Sequence, residues 1–258
     1  MYHPPFEKED ESLSELVDSL HFGEKVERAK KLLEWSFNRF GNKAVVANSL
    51  GKDSMMVWDL ATKVNPDVKG FIVTTVFKPK ETISFMNDLV KEYPNLNIYK
   101  SEEDVGDLFK TDPDKCCNIL KVKPVRRAVE EMEVECWITG LRCTEGRTRT
   151  DFKEIEERDR GLIKLNPALI FKEREIWQYL AINGVKINEL YAQGYRSLGC
   201  EPCTKIVTDE NERAGRWSDT SKCGGECGIH TQPLKSSNNE NHGAIREGIS
   251  QPEIASIG

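Results

Sequence analysis

No stretch of this 258-residue sequence is both long and apolar. Runs such as Ala44–Ala47 and Phe71–Val73 fall far short of the roughly 20 residues that cross a bilayer, which excludes a helical membrane protein. Basic charge is also scarce: 37 Lys and Arg against 43 Asp and Glu leave a formal charge of −6. Counterion release needs a broad basic surface, so a general nucleic-acid binder is excluded, while a local basic pocket for a small anion stays open. Internal repeats are absent, and with 38% hydrophobic residues the chain fits no fibrous or disordered class. The N-terminal stretch MYHPPFEKEDESLSE has neither a basic nor an apolar leader region, so the expectation is no signal peptide and a cytoplasmic location. Eight cysteines in a reducing compartment point to metal or redox chemistry rather than disulfides.

What is present reads as α/β. Ser12 with Glu15 makes a capping box ahead of Leu13, Leu16, Val17 and Leu20, which share one helical face. A second helix runs from Glu24 to Phe40 and stops at Gly41-Asn42. A short apolar strand, AVVAN, precedes helix 53–63, strand 68–76, helix 80–93 and strand 96–100, the alternation of βαβ units. Further on come a helix opening near Pro124, a strand over 135–140, a last strand over 162–170 and a helix over 172–180. Ligands of open α/β sheets bind at the carboxyl ends of strands, which makes 140–150 a site loop. The expected division is a nucleotide- and cofactor-binding body over 1–215 and a C-terminal segment over 216–258, a mobile tail after about 235.

Two sets of residues carry chemistry. Ser49-Leu-Gly-Lys-Asp-Ser54 lies between a strand and a helix, where backbone N–H groups and the helix dipole make an anion site. Gly51 permits close approach, and Lys52, Ser49 and Ser54 can reach phosphate oxygens; an ordinary turn capped by Asp53 or Ser54 is the plainer alternative. The loop is not a Walker A motif, because its spacing fails. The second set is cysteine: Cys116-Cys117, and Cys200 with Cys203. Four thiolates can hold zinc or an iron–sulfur cluster, and adjacent cysteines converge only from a helical or strained backbone. Cys136 reads as core. Cys223 and Cys227 sit among glycines near His230, a setting for a mobile nucleophile or for zinc.

The 49–54 loop resembles the pyrophosphate loop of the adenine nucleotide α-hydrolase superfamily, usually Ser-Gly-Gly-x-Asp-Ser, with Leu50 in place of the first Gly. From about residue 24 to 232 the chain is similar to the assimilatory sulfonucleotide reductases. The resemblance is carried by Cys116-Cys117 with Lys121, Trp137-Ile-Thr-Gly-Leu-Arg142 with Thr148-Arg149, Ser197-Leu-Gly-Cys-Glu-Pro-Cys-Thr204, Arg213-x-Gly-Arg-Trp217 and Glu226-Cys-Gly-Ile-His230. It implies a parallel sheet flanked by helices with a flexible catalytic tail. It also implies a [4Fe–4S] cluster on Cys116, Cys117, Cys200 and Cys203, with Lys121 beside it, and Cys227 as the nucleophile. Ser49, Gly51, Lys52, Asp53, Ser54, Arg142, Arg149, Arg213, Arg216 and His230 would bind the substrate. Thr74-Thr-Val-Phe-Lys78 departs from the family's Asp-Thr-Gly turn, and Cys143 stands where a basic residue is usual.

The implied activity is reduction of adenylyl sulfate or its 3′-phosphorylated form to sulfite, with thioredoxin or a similar dithiol as partner and homo-oligomerisation left open. A thiolate attacking a sulfuryl group brings negative charge to a sulfur ringed by anionic oxygens, so positive side chains must gather there; guanidinium forks suit those oxygens. Two other readings compete: an enzyme like the small subunit of ATP sulfurylase, which leaves the cysteine motifs unexplained, and a non-catalytic zinc-stabilised nucleotide-binding module.

Overall fold

The structure is a computed structural model and describes residues 5–6, 12–146, 152–209, 211–220, 222, 228–230 and 232–235. Helix α1 (Leu13–Ser19) opens with the expected box: the Ser12 side chain accepts the Glu15 N–H, and Glu15 answers to the Ser12 backbone. Helix α2 (Phe22–Phe40) buries Ala29, Leu32 and Leu33, one apolar stripe at helical spacing. Strand β1 (Ala44–Ala47), helix α3 (Lys52–Val64), strand β2 (Lys69–Thr74), helix α4 (Lys80–Glu92) and strand β3 (Leu96–Lys100) follow in alternation. Short helices α5 (Leu108–Thr111) and α6 (Pro113–Cys117) lead through a π-helical turn, Asn118–Val122, into α7 (Lys123–Glu131). Then come β4 (Cys136–Ile138), β5 (Ile155–Glu157), β6 (Ile163–Leu165) and α8 (Glu173–Ile182).

The six strands lie in the order β3-β2-β1-β4-β6-β5. All neighbours are parallel except the β5–β6 edge pair. The expected parallel sheet therefore gains an antiparallel edge, and the expected strand over 162–170 shortens to three residues, since Asn166 onward turns away. The strand order reverses between β1 and β4, so the loops leaving both strands diverge there and open a crevice above their carboxyl ends. The apolar residues of β1, β4 and β6 (Val46, Ile138, Leu165) pack under α2, α3 and α8, as buried parallel strands must. Among the described residues no helix is long and apolar enough to cross a membrane.

Candidate active site

The crevice between β1 and β4 holds about 1130 Å3 of empty space, its open mouth included. Its floor is the 48–54 loop. Leu50 sits at φ 66°, a left-handed conformation that costs an L-residue roughly 1–2 kcal/mol, and this is the position where the resembling loops carry Gly. Two things hold it: its N–H donates to Asn48 Oδ1 at 2.8 Å, and its side chain is buried in the core. The Ser49 N–H and hydroxyl close on Ser54 Oγ at 3.2 and 3.0 Å. Gly140, just past β4, lies against this turn so closely that a Cβ there would stand 2.6 Å from Ser54 N and 2.7 Å from its Cα. Phe71, Val73, Val125, Trp137 and Ile229 make one apolar end of the crevice, while Lys78, Lys121, Arg213 and Arg216 bring positive charge.

Not every expected cation faces open space. The Lys52 ammonium is buried and bonds Glu212 at 2.7 Å, with Asp53 at 3.4 Å. Arg142, fully buried, donates Nε to Asp53 at 2.5 Å and Nη2 to Glu212 at 2.6 and 2.8 Å. Burial works against the Lys52 charge, but Asp53, Tyr191 and Glu212 outweigh it and hold the ammonium above the usual lysine range. In the structure both charges lie on carboxylates, Lys52 on Glu212 and Asp53 and Arg142 on Asp53 and Glu212. Asp53 likewise binds Arg142, and Ser49, Gly51, Lys52, Asp53 and Ser54 all line the crevice.

Arg213 and Arg216 do reach the crevice. The Arg216 guanidinium donates to Leu198 O at 2.7 Å and stacks over Trp217, 4.4 Å from the ring centroid. It passes through the space left by Gly199, where a Cβ would lie 2.6 Å from Arg216 Cζ. Arg213 stands 3.7 Å from Glu145 and 5.6 Å from the Trp217 centroid. Trp217 itself is held at φ 55° and buried. His230, from the turn Gly228–His230, stacks on Trp137 with centroids 5.6 Å apart. The Arg158 guanidinium donates to its carbonyl at 3.0 Å. Arg149, Cys223, Cys227 and the tail after Lys235 lie outside the described residues.

A smaller cavity, about 290 Å3, adjoins the crevice and is lined by Cys116, Cys117, Cys200 and Cys203 together with Lys121, Phe77 and Phe109. Helix α6 turns the adjacent cysteines toward one cavity, and the π-turn that follows carries Lys121, which lines both cavities. Burial and the sulfurs of Cys200 and Cys203 push the Cys116 thiol up to about 11. Burial also opposes a Cys200 thiolate, yet Lys121, Lys78, a 3.3 Å contact with Thr75 Oγ1 and Arg216 lower it overall. Thr75, inside the departing segment 74–78, thus meets Cys200. Buried Trp217 Nε1 has no acceptor among the described residues, and its ring packs with Cys117, Cys200 and Cys203. Among the described residues no group of three or more His, Cys, Asp or Glu is placed to hold a metal ion; the four cysteines line one small cavity. Such a donor set suits a multinuclear centre. Cys136 is core, as expected, and Cys143 is half-buried with its thiol raised by burial.

Two residues of this site escape sequence reasoning: Glu212, hidden beside the Arg213 motif, and Tyr191, whose hydroxyl accepts the Lys52 N–H at 2.7 Å. Neither has a local sequence signal, because each acts across more than 130 residues of chain on the same lysine.

A profile described as "Phosphoadenosine phosphosulfate reductase domain" matches residues 43–206. "Adenosine 5'-phosphosulfate reductase" of Oceanobacillus iheyensis is 35% identical over 216 residues, covering 79% of this chain and 88% of that one. "Adenosine 5'-phosphosulfate reductase 1" of Bacillus subtilis is 33% identical over 215 residues, 78% of this chain and 90% of that one. The crystal structure of phosphoadenylyl-sulfate reductase from Candida auris superposes with a TM-score of 0.60 at 23% identity, over 72% of this chain and 96% of that one. Candida glabrata FMN adenylyltransferase gives 0.59 at 15% identity, over 81% and 78%. At these identities the two structures establish the shared fold.

Proposed function

The chain belongs to the phosphoadenosine phosphosulfate reductase family and is an oxidoreductase that reduces a sulfonucleotide in sulfate assimilation; within that activity we propose that adenylyl sulfate is the substrate, Cys227 the nucleophile, a [4Fe–4S] cluster the cofactor and a thioredoxin-type dithiol the reductant. The observation that supports this reading is that the four cysteines line one cavity and Lys121 lines both it and the crevice.

In the proposed reaction the Cys227 thiolate attacks the sulfuryl sulfur. An S–S bond forms, the bond from sulfur to the bridging phosphate oxygen breaks, and AMP leaves with that electron pair. A thiolate of the external dithiol then attacks Cys227 Sγ and sulfite departs with the bonding electrons. The second thiol of the donor releases Cys227 and becomes half of a disulfide, so the dithiol is oxidised as sulfur is reduced by two electrons. Cys116, Cys117, Cys200 and Cys203 would hold the cluster, which supplies architecture and fixed charge. Arg213 and Arg216 neutralise the oxyanions, and His230, seated on Trp137, fixes the segment that follows the nucleophile.

The test compares sulfite production from adenylyl sulfate and its 3′-phosphorylated form, with thioredoxin, on anaerobically purified protein assayed for iron. A brown protein faster on adenylyl sulfate supports the reading. A colourless one active without iron removes the cluster, and preference for the 3′-phosphorylated form reverses the substrate.

A further inference from the structure

The phosphate loop has a partner outside itself. Lys52 is the first helical residue of α3, and its N–H, one of the donors that a helix start leaves open, is taken by Tyr191 Oη at 2.7 Å. That bond uses the hydroxyl as acceptor. Its own proton meets no acceptor among the described residues, and Tyr191 lines the crevice beside Gly51, Lys52 and Ser54.

The ring is held for this task from three sides. Trp177 meets it edge-on, 5.1 Å between centroids at 90°. Asn188 Oδ1 accepts the Leu190 N–H at 3.1 Å, its Nδ2 donates to Thr82 at 3.0 Å, and so the turn Glu189–Tyr191 is fastened to α4. Gly51 leaves room for the phenol, since a Cβ there would lie 3.3 Å from Tyr191 Oη. Burial raises the phenol, the Asp53 and Glu145 carboxylates add to this and Lys52 only partly opposes it, so the hydroxyl keeps its proton at neutral pH. A hydroxyl of this kind can join a backbone donor to an anion, accepting from one and donating to the other.

We propose that Tyr191 is a phosphate-binding residue of the nucleotide site, donating its proton to the nucleotide's phosphate while it accepts the Lys52 N–H. The proposal rests on the nucleotide reading of the crevice. It assigns to a neutral side chain part of the role that Lys52, held by Glu212 and Asp53, does not fill.

The test is calorimetry of AMP and of adenosine with the cluster-loaded wild-type protein and with Tyr191→Phe, which keeps the ring against Trp177. Loss of a hydrogen bond to a charged group should weaken AMP roughly tenfold or more, while adenosine changes less than about twofold. Equal losses for both ligands would show that the hydroxyl only shapes the loop and would overturn the proposal. Unchanged AMP affinity would overturn it too, and tighter AMP binding would mean that the hydroxyl blocks the anion's place. If the wild-type protein binds neither ligand, the nucleotide reading itself fails. Should Tyr191→Phe not fold, the Lys52 amide resonance of the wild-type protein decides: it should shift with AMP and not with adenosine, and the reverse refutes the assignment.

Discussion

The imidazole of His230 lies nearly parallel to the indole of Trp137, 15° between planes, and this contact joins the C-terminal end of the described chain to the middle of the sheet. Arg158 holds the His230 carbonyl, and Arg126 Nε donates to the Pro233 carbonyl at 2.8 Å, so the backbone after residue 227 is anchored on both sides of the stack. Stacked pairs contribute about 0.5–1.5 kcal/mol. Lost from the positioning of this segment, that energy corresponds to roughly two- to tenfold in rate, so His230→Ala should slow the reaction by about that much while iron content and melting temperature stay near wild type. A rate within twofold of wild type would show that the stack has no catalytic consequence.

Lys52→Ala tests where that lysine's charge is spent. Because its ammonium lies between Glu212 and Asp53, removal leaves two buried carboxylates to share Arg142. Breaking a buried pair this way costs about 3–5 kcal/mol. The expected outcome is a large fall in unfolding free energy by denaturant titration, with AMP affinity changed only a few-fold. An unaltered denaturation midpoint with AMP binding lost would instead put Lys52 on the phosphate.

Gly140→Ala should damage the site through backbone alone. The new methyl would lie 2.6 Å from Ser54 N and 2.9 Å from Asp53 C, distances that no rotamer relieves, so the 48–54 loop and the strand β4 exit must part. Nucleotide affinity should fall more than tenfold, measured by calorimetry on protein whose circular dichroism is native. Retained affinity would show that the two loops are not packed as tightly as the structure has them.

What could be read from the residues alone follows from the range of the forces involved. The capping box at Ser12 and Glu15, the strand Leu96–Lys100 and the helix over 80–92 rest on neighbours within a few residues, and all appear with bounds close to expectation. Edge strand β5 does not: Ile155-Glu-Glu has no alternation and exists because Ile163–Leu165 comes back alongside it. Leu50 itself gives no hint of its positive φ, which only the Gly of the resembling loops suggests, since the restraint comes from Asn48 and the core. The two cysteine pairs were legible as close pairs, but that they line one cavity and that a π-turn brings Lys121 to it and to the crevice were not, because π-turns have no dependable local code. Expected cations at Lys52 and Arg142 turned inward, as neither Glu212 nor its reach could be foreseen from composition.

Cys227 and Cys223 both lie outside the described residues, and chemistry must choose between them. Gly228, the described residue after Cys227, sits against the π-turn, where a Cβ would stand 3.1 Å from Val122 Cγ2, and Lys222, the described residue before Cys223, donates to Asp114 of α6. Lys121, next in the chain to Val122, lines the nucleotide crevice. Both thiols thus adjoin in sequence a residue that meets this region, and what singles out Cys227 is the Gly-Ile-His that follows it and that the family resemblance marks. Positive charge from Lys121, Arg213 and Arg216 at the crevice favours the thiolate form of a cysteine brought there. Incubating the protein with adenylyl sulfate and no reductant should leave a sulfonate on Cys227, seen as a mass increase of the intact chain and mapped by peptide analysis. Cys227→Ser should abolish the adduct with iron content and AMP affinity unchanged, and Cys223→Ser should still form it. An adduct that maps to Cys223, or that persists in Cys227→Ser, would move the nucleophile four residues upstream and make the two thiols an internal redox pair.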